Sequence, residues 1–258
     1  MANILEKYGI KEVADVMFYK ITDTGEAGEP VLYLDTLKVS TIEQTAEEVS
    51  ANGGKGNPPL ISWDYGKDIT VTLEDALFSA KSMAIMFGDS TVKTLDSASA
   101  VLKKTIAWTA TSENMTPPTK FTGPQGKEYA VDTASWSTYD AEGNAVSSSL
   151  ISAGQIYYTT FDMPIINAGV IEISANSFPG TYYVTGDTYA RSEISGSDEF
   201  FQFIIPKAKV TSENTITLEA EGDPSVFNLN LHVLRPAGGG PMMKLVKYDM
   251  TEITEAAG

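Results

Sequence analysis

The chain has 258 residues, a net charge of −16 with only 18 lysines and arginines, and no cysteine. The charge argues against affinity for DNA or an anionic membrane, because phosphate binding needs clustered cations. The missing thiols exclude disulfides, thiolate metal sites and cysteine nucleophiles. The start, MANILEKYGIKEVADV, carries acids early and no continuous apolar run. It reads as neither a secretory signal nor a membrane span, and a soluble protein made in the cytoplasm is expected.

In chain order, Val13 to Thr22 and Val31 to Asp35 flank the Gly/Pro turn TDTGEAGEP and form a modest hairpin. The stretch LKVSTIEQTAEEVS, Leu37 to Ser50, is rich in β-branched residues and Glu. Its apolar parity starts on Leu37 and Val39 and moves to Ile42 and Ala46, a shift that a bulge or a solvated tip explains. A helix over TIEQTAEEV is the competing reading, because Glu, Gln and Ala favour helices. The cluster ANGGKGNPP at 51–59 is loop chemistry.

From Leu60 to Glu74, LISWDYGKDITVTLE alternates apolar and polar side chains for about fourteen residues, well beyond the roughly 5 to 6 residues of an ordinary strand. By strict period-2 parity Ile61, Trp63, Tyr65, Ile69, Val71 and Leu73 fall on one face and Ser62, Asp64, Asp68, Thr70, Thr72 and Glu74 on the other. Such a strand reaches about 45 Å and, with Leu37 to Ser50, makes a long hairpin with a flexible tip. Gly66 and Lys67 interrupt the oily face, so a bend or bulge is expected there.

A short helix follows, capped by Ser79 and ended by Gly88, with Leu77, Met83, Ala84, Met86 and Phe87 as its apolar side. Val101 to Ala110 is a strand. The Thr, Ser, Pro and Gly-rich residues at 112–149 read as a variable surface excursion with a short hairpin around Glu128 to Tyr139. Strands are expected at Gln155 to Met163, Val170 to Ser174, Thr181 to Thr185 and Glu199 to Ile205. A second amphipathic hairpin follows, with Ile216, Leu218 and Ala220, then the turn GDPS, then Phe227, Leu229, Leu231 and Val233. MMKLVKYD at 242–249 reads as a last strand. The fold class is mainly β, a β-sandwich or barrel with one short helix, in a single domain over 1–258.

Groups suited to chemistry are few. The single histidine, His232, alternates with Asn228 and Asn230 on a polar strand face, which excludes a catalytic triad and a multi-histidine metal site. Asp64 and Asp68 lie four apart and resemble a glycosidase carboxylate pair in number alone, with no apolar pocket signature to raise a pKa. GGKG at 53–56 lacks the ending of a phosphate loop. No enzyme, metal or cofactor is expected. An adhesive, carbohydrate-binding sandwich remains as an alternative, with Trp136, Tyr139, Tyr157 and Tyr158 as sugar platforms.

Two long hairpins in one subunit would leave sheet edges open to solvent. Pairing those edges with neighbouring copies around a rotation axis closes a barrel whose polar faces line a lumen. The segments ANGGKGNPPLISWDYGKDITVTLEDALFS, FPGTYYVTGDTYAR, EFFQFIIPKAKV and TLEAEGDPSVFNLNLHVLR resemble bacteriophage tail tube proteins, a family related to tailocin and type VI secretion tubes. That resemblance implies stacked hexameric rings, an inner barrel built from two hairpins per subunit, and a conduit through which DNA passes without specific binding. It also implies sheath, baseplate and tail-terminator proteins as partners, no membrane, and a place in the virion tail after assembly in the host cytoplasm. Asp64, Asp68, Thr70, Thr72, Glu219 and Glu221 are the expected lumen-facing residues. Gly53, Gly54, Lys55, Gly56 and Asn57 are the expected contact with an adjacent ring. Another virion part, a tail-completion or head-decoration protein, is the nearest competing role.

Overall fold

The structure, a computed structural model, describes residues 7–77, 79–88, 93–95, 100–165, 168–213, 216 and 226–249. Its strands in chain order are β1 (Tyr8–Ile10), β2 (Asp15–Ile21), β3 (Ala27–Leu34), β4 (Leu37–Asn52) and β5 (Pro59–Asp75), then helix α1 (Ala80–Phe87). Next come β6 (Lys93–Leu95), β7 (Ala100–Thr109), β8 (Lys120–Thr122), β9 (Glu128–Ala130), β10 (Ser137–Tyr139), β11 (Ile156–Ile165) and β12 (Ala168–Val170). The chain closes with β13 (Thr181–Ser192), β14 (Asp198–Val210), β15 (Phe227–Val233) and β16 (Lys244–Tyr248). The protein is mainly β with a sandwich-like fold and one α-helix among the described residues. The stretch TIEQTAEEV is strand, not helix: it pairs along β5 from Thr72 to Trp63, and cross-strand pairing outweighs the helix preference of its Glu and Ala.

The chain divides into two compact units, residues 1–92 with 171–258, and residues 93–170. In the first, an antiparallel path runs β3-β2-β13-β14-β15-β5-β4, with β1 added on β13 and β16 on β14. Alternation decides what is buried. Val16 and Phe18 of β2, Val184 of β13, Phe203 and Ile205 of β14, Leu229 and Leu231 of β15, and Val71 and Leu73 of β5 all turn inward to one cluster. Each such side chain, fully removed from water, is worth about 1.5 to 3 kcal/mol. Strands from opposite ends of the path share this cluster, so the sheet curls around it.

Helix α1 adds Ile85 and Met86 to the same cluster. Its capping is as the sequence suggests. Ser79 accepts from the Ser82 amide, Ser82 reaches back to the Ser79 amide, and Gly88 takes the left-handed C-cap. The buried stripe is Ser82, Ala84, Ile85 and Met86, whereas Leu77 precedes the helix and is exposed.

The second unit spans 93–170 and contains the 112–149 stretch read from the sequence as a surface excursion. It is entered and left through a short ribbon in which Lys93 lies opposite Val170. Its main element is the β7–β11 pair, extended by β10. Trp108 Nε1 donates to Thr159 Oγ1 at 2.9 Å, and Thr138 and Thr159 share a buried hydroxyl contact at 3.0 Å. Ala110, Ile151 and Tyr157 form a small core under Trp108. Glu128 begins a strand that pairs back with β8, while Tyr139 belongs to β10, so the hairpin expected around Glu128 to Tyr139 is replaced by two separate pairings.

Candidate assembly interface

The β4–β5 ribbon is the largest feature not consumed by the core. Near its base β5 reads as alternately buried and half-buried from Ile69 to Asp75, with β4 on one side and β15 on the other. β15 accompanies it only as far as Thr70, which lies opposite His232. Beyond that point β4 and β5 continue as a two-stranded arm with both faces open. Trp63 and Tyr65 are each 53% exposed, and Ile61, Leu60 and Val49 are more or similarly so.

Two bulges set which side chains share a face. At the start of β4, Leu37 and Val39 lie opposite the adjacent residues Asp75 and Glu74, so Lys38 is extra. The parity shift read from the sequence lies between Val39 and Ile42; the register places it one step earlier, because Val39 opposes Glu74 and leaves the side of Leu37. In β5, Thr45 pairs with Asp68 but Glu47 pairs with Tyr65, so Gly66 and Lys67 together oppose Ala46. Gly66 has φ +63, the left-handed first position of a glycine bulge. The bend expected at Gly66 and Lys67 is therefore present.

Its consequence is larger than a bend. Directly opposed residues of an antiparallel pair point to the same side, and β4 is regular from Ser40 to Ala51. Ile42 lies opposite buried Val71, and Ser40 opposite buried Leu73, which puts even-numbered β4 residues on the core side. Glu48 opposes Asp64 and Ser50 opposes Ser62. Asp64 and Ser62 thus fall on the core side of the ribbon, while Ile61, Trp63 and Tyr65 fall on the side of Asp68, Thr70 and Thr72. The expectation that Asp64 shares a face with Asp68 is corrected by this register: one extra residue reverses the parity. A hydrogen bond between Tyr65 and Glu47, which raises the Tyr65 pKa, is consistent with that pair sharing a side.

At the base, Asp68, Thr70 and Thr72 share one polar face with Thr41, Glu43, Asn230 and His232. His232 Nδ1 lies 3.3 Å from Asp68 Oδ1, an ion pair when the imidazole is protonated. Lys209 pairs with His232 across β14 and β15 and joins the same face, so the face is mixed in charge where the sequence suggested acids and small polar groups only. Lys209, Thr211, Asn230 and His232 border an open groove of about 510 Å³. Glu219 and Glu221 lie outside the described residues.

The tip at 53–58 is a closed turn. Gly53 N–H donates to Pro58 C=O at 3.1 Å and Asn57 N–H to Gly54 C=O at 3.2 Å. Gly54, Gly56 and Asn57 all have positive φ, so the expected contact residues form a glycine-dependent cap at the far end of the arm. The alternative sugar platform is not assembled. Tyr157 is buried beside Trp108, and of the four aromatics only Tyr139 and Tyr158 lie directly opposite each other on one side of their sheet. Among the described residues, no helix is long and apolar enough to cross a membrane.

The model of the YomU/Tube protein family matches residues 8–245. No curated protein matches the chain.

Proposed function

The chain belongs to the YomU/Tube protein family, structural proteins of the phage tail tube kind, and from that premise we propose that it is the repeating subunit of a tail tube in the virion. Copies join into hexameric rings, rings stack, and DNA passes down the lumen without specific binding. The observation that carries this reading is the 16-residue edge strand β4, whose outer side pairs with nothing among the described residues. A long unpaired edge is a template for another chain. Pairing it with a neighbouring copy, in rotation, closes the sheets into a continuous wall.

In that assembly Asp68, Thr70 and Thr72 face the lumen, together with Glu43, Asn230 and His232, and we assign Glu219 and Glu221 to the same wall. Carboxylates, hydroxyls and amides repel or hydrate a polyphosphate rather than hold it, and Lys209 on this face is outnumbered by Asp68 and Glu43. The tip from Gly53 to Asn57 contacts the adjacent ring. Sheath, baseplate and tail-terminator proteins meet the ends and outside of the tube. The whole chain works as one subunit, assembled in the host cytoplasm.

Electron microscopy of the purified protein tests the reading: hollow, stacked tubes are expected, and monodisperse monomers at every concentration and salt would sink it. Deleting Asn52 to Asn57 is expected to leave the monomer's circular dichroism and melting unchanged while abolishing stacking. Normal tubes from that deletion would remove the tip's role.

A further inference from the structure

Asn52 is the only asparagine of the chain that is followed by glycine. In such a pair the glycine's backbone nitrogen can attack the asparagine Cγ, because glycine has no Cβ to stand in the way. The new N–C bond closes a succinimide ring, the side-chain nitrogen leaves as ammonia, and water then opens the ring. Opening at one carbonyl gives aspartate. Opening at the other gives isoaspartate, whose main chain runs through the former side chain. The reaction needs only water, and hydroxide speeds its first step by taking the proton from the attacking nitrogen.

The pair sits where the chain turns at the end of the arm, and two features guard the attacking atom. Gly53 N–H donates to Pro58 C=O at 3.1 Å, which ties up the proton that must leave. The Leu60 side chain lies against Gly53, where a Cβ would be 3.1 Å from Leu60 Cδ1. Gly53 is accordingly half-buried, although Asn52 and Gly54 on either side are exposed. Leu60 is the extra residue of a bulge, since Ala51 lies opposite Ile61 and Asn52 opposite Pro59. Both guards belong to the tip itself. β15 accompanies β5 only to Thr70, so fraying from the tip inward frees the nitrogen without disturbing the core.

Between Glu48 and Asp64 the only charged side chain is Lys55. The tip is therefore a cationic end on a chain of net charge −16, the sign that favours approach to another copy. A carboxylate at residue 52 cancels Lys55 within the same turn. The isoaspartate form also lengthens the main chain by one atom at the last β4–β5 pair, Asn52 with Pro59.

We infer that Asn52–Gly53 is a self-modification site, held closed by the Gly53–Pro58 hydrogen bond and the Leu60 side chain, whose conversion to aspartate or isoaspartate ends the tip's ability to join an adjacent ring. The second half rests on the tube reading; the first does not. A subunit whose tip stays free ages at this point, while a tip seated against a neighbour keeps its guards in place.

The full-length protein is incubated at mildly alkaline pH, folded and in urea, and residue 52 is followed by peptide mass mapping and by enzymatic methylation of isoaspartate. In urea Asn52 should convert before any other asparagine, and in the folded protein at least about tenfold more slowly, because the opened tip is a minor population. Leu60→Ala should speed conversion in the folded protein and leave the rate in urea unchanged. Asn52→Gln, whose longer side chain closes a larger ring far more slowly, is the blank. Equal rates folded and unfolded, or no effect of Leu60→Ala, overturn the guarded site. Asn52→Asp supplies the new charge directly: it should melt as the native chain does and stack at least about tenfold less efficiently by light scattering. Stacking equal to that of the native chain overturns the second half. If the native chain forms no tubes, the tube reading and the second half fall together, while the conversion rates still decide the first.

Discussion

At Gly186 a hydrogen stands where any other residue would carry a carbon, and the Phe203 ring fills the space. A Cβ there would lie 2.1 Å from the ring edge. Gly186 and Phe203 are direct partners across β13 and β14, and Phe203 is buried in the shared cluster. Gly186→Ala is therefore expected to destabilise the first unit by about 1 to 3 kcal/mol through displacement of the ring, read as a lower urea midpoint with an unchanged slope. The midpoint is the quantity to check, since no change would mean that the ring rotates away at no cost. The sequence shows this glycine only as one break in a good strand pattern. Its purpose depends on which β14 residue lies opposite, and that is a long-range register.

Among the elements, the β4–β5 ribbon shows both what a sequence conveys and where it stops. The hairpin, its length, its loop at 51–59, the existence of a parity shift early in β4 and the irregularity at Gly66 to Lys67 are legible from alternation and from glycine. The reversal beyond Gly66 follows from the same bulge, yet strict parity, which puts Trp63 with Val71, conceals it. Counting residues says only that the side chains alternate. Deciding whether two opposed residues or one separate Tyr65 from Asp68 requires the partner strand. The face of Asp68, Thr70 and Thr72 is legible because no bulge interrupts β5 there, whereas Lys209 comes to that face from a strand far away in sequence. Inserting one residue after Ala46 is the direct test at this scale. A separate partner for each of Gly66 and Lys67 removes the bulge and returns Trp63 and Tyr65 to the core side of the ribbon. The monomer is expected to keep its melting temperature within a few degrees, since the arm lies outside the core, while assembly measured by light scattering is lost. Assembly at the normal rate would show that the orientation of Trp63 and Tyr65 has no role.

For the whole molecule, the division at 93 and 170 sets the expectation. The second unit has its own small core around Ile151 and Tyr157 and its own hydrogen-bonded pairings. The first unit's buried cluster draws only on residues outside 93–170. Replacing 93–170 by a short Gly/Ser turn is therefore expected to yield a first unit that still unfolds cooperatively, checked by calorimetry. Loss of cooperative unfolding would mean that the two units stabilise one another. Sequence alone placed only the irregular part of this insertion, 112–149, because β7 and β11 look like ordinary strands of one domain until their pairing with each other and with β10 is seen.

The ribbon of β6 and β12 has one further implication. Since Lys93 and Val170 face each other across it, the place where the insertion leaves the body and the place where it returns are neighbours. Any folded segment whose two ends lie a hairpin's width apart can be exchanged for the present one without redrawing the body. A change in the insertion thereby leaves the strand order of the first unit undisturbed, and an engineer can present one foreign domain per chain at the same junction.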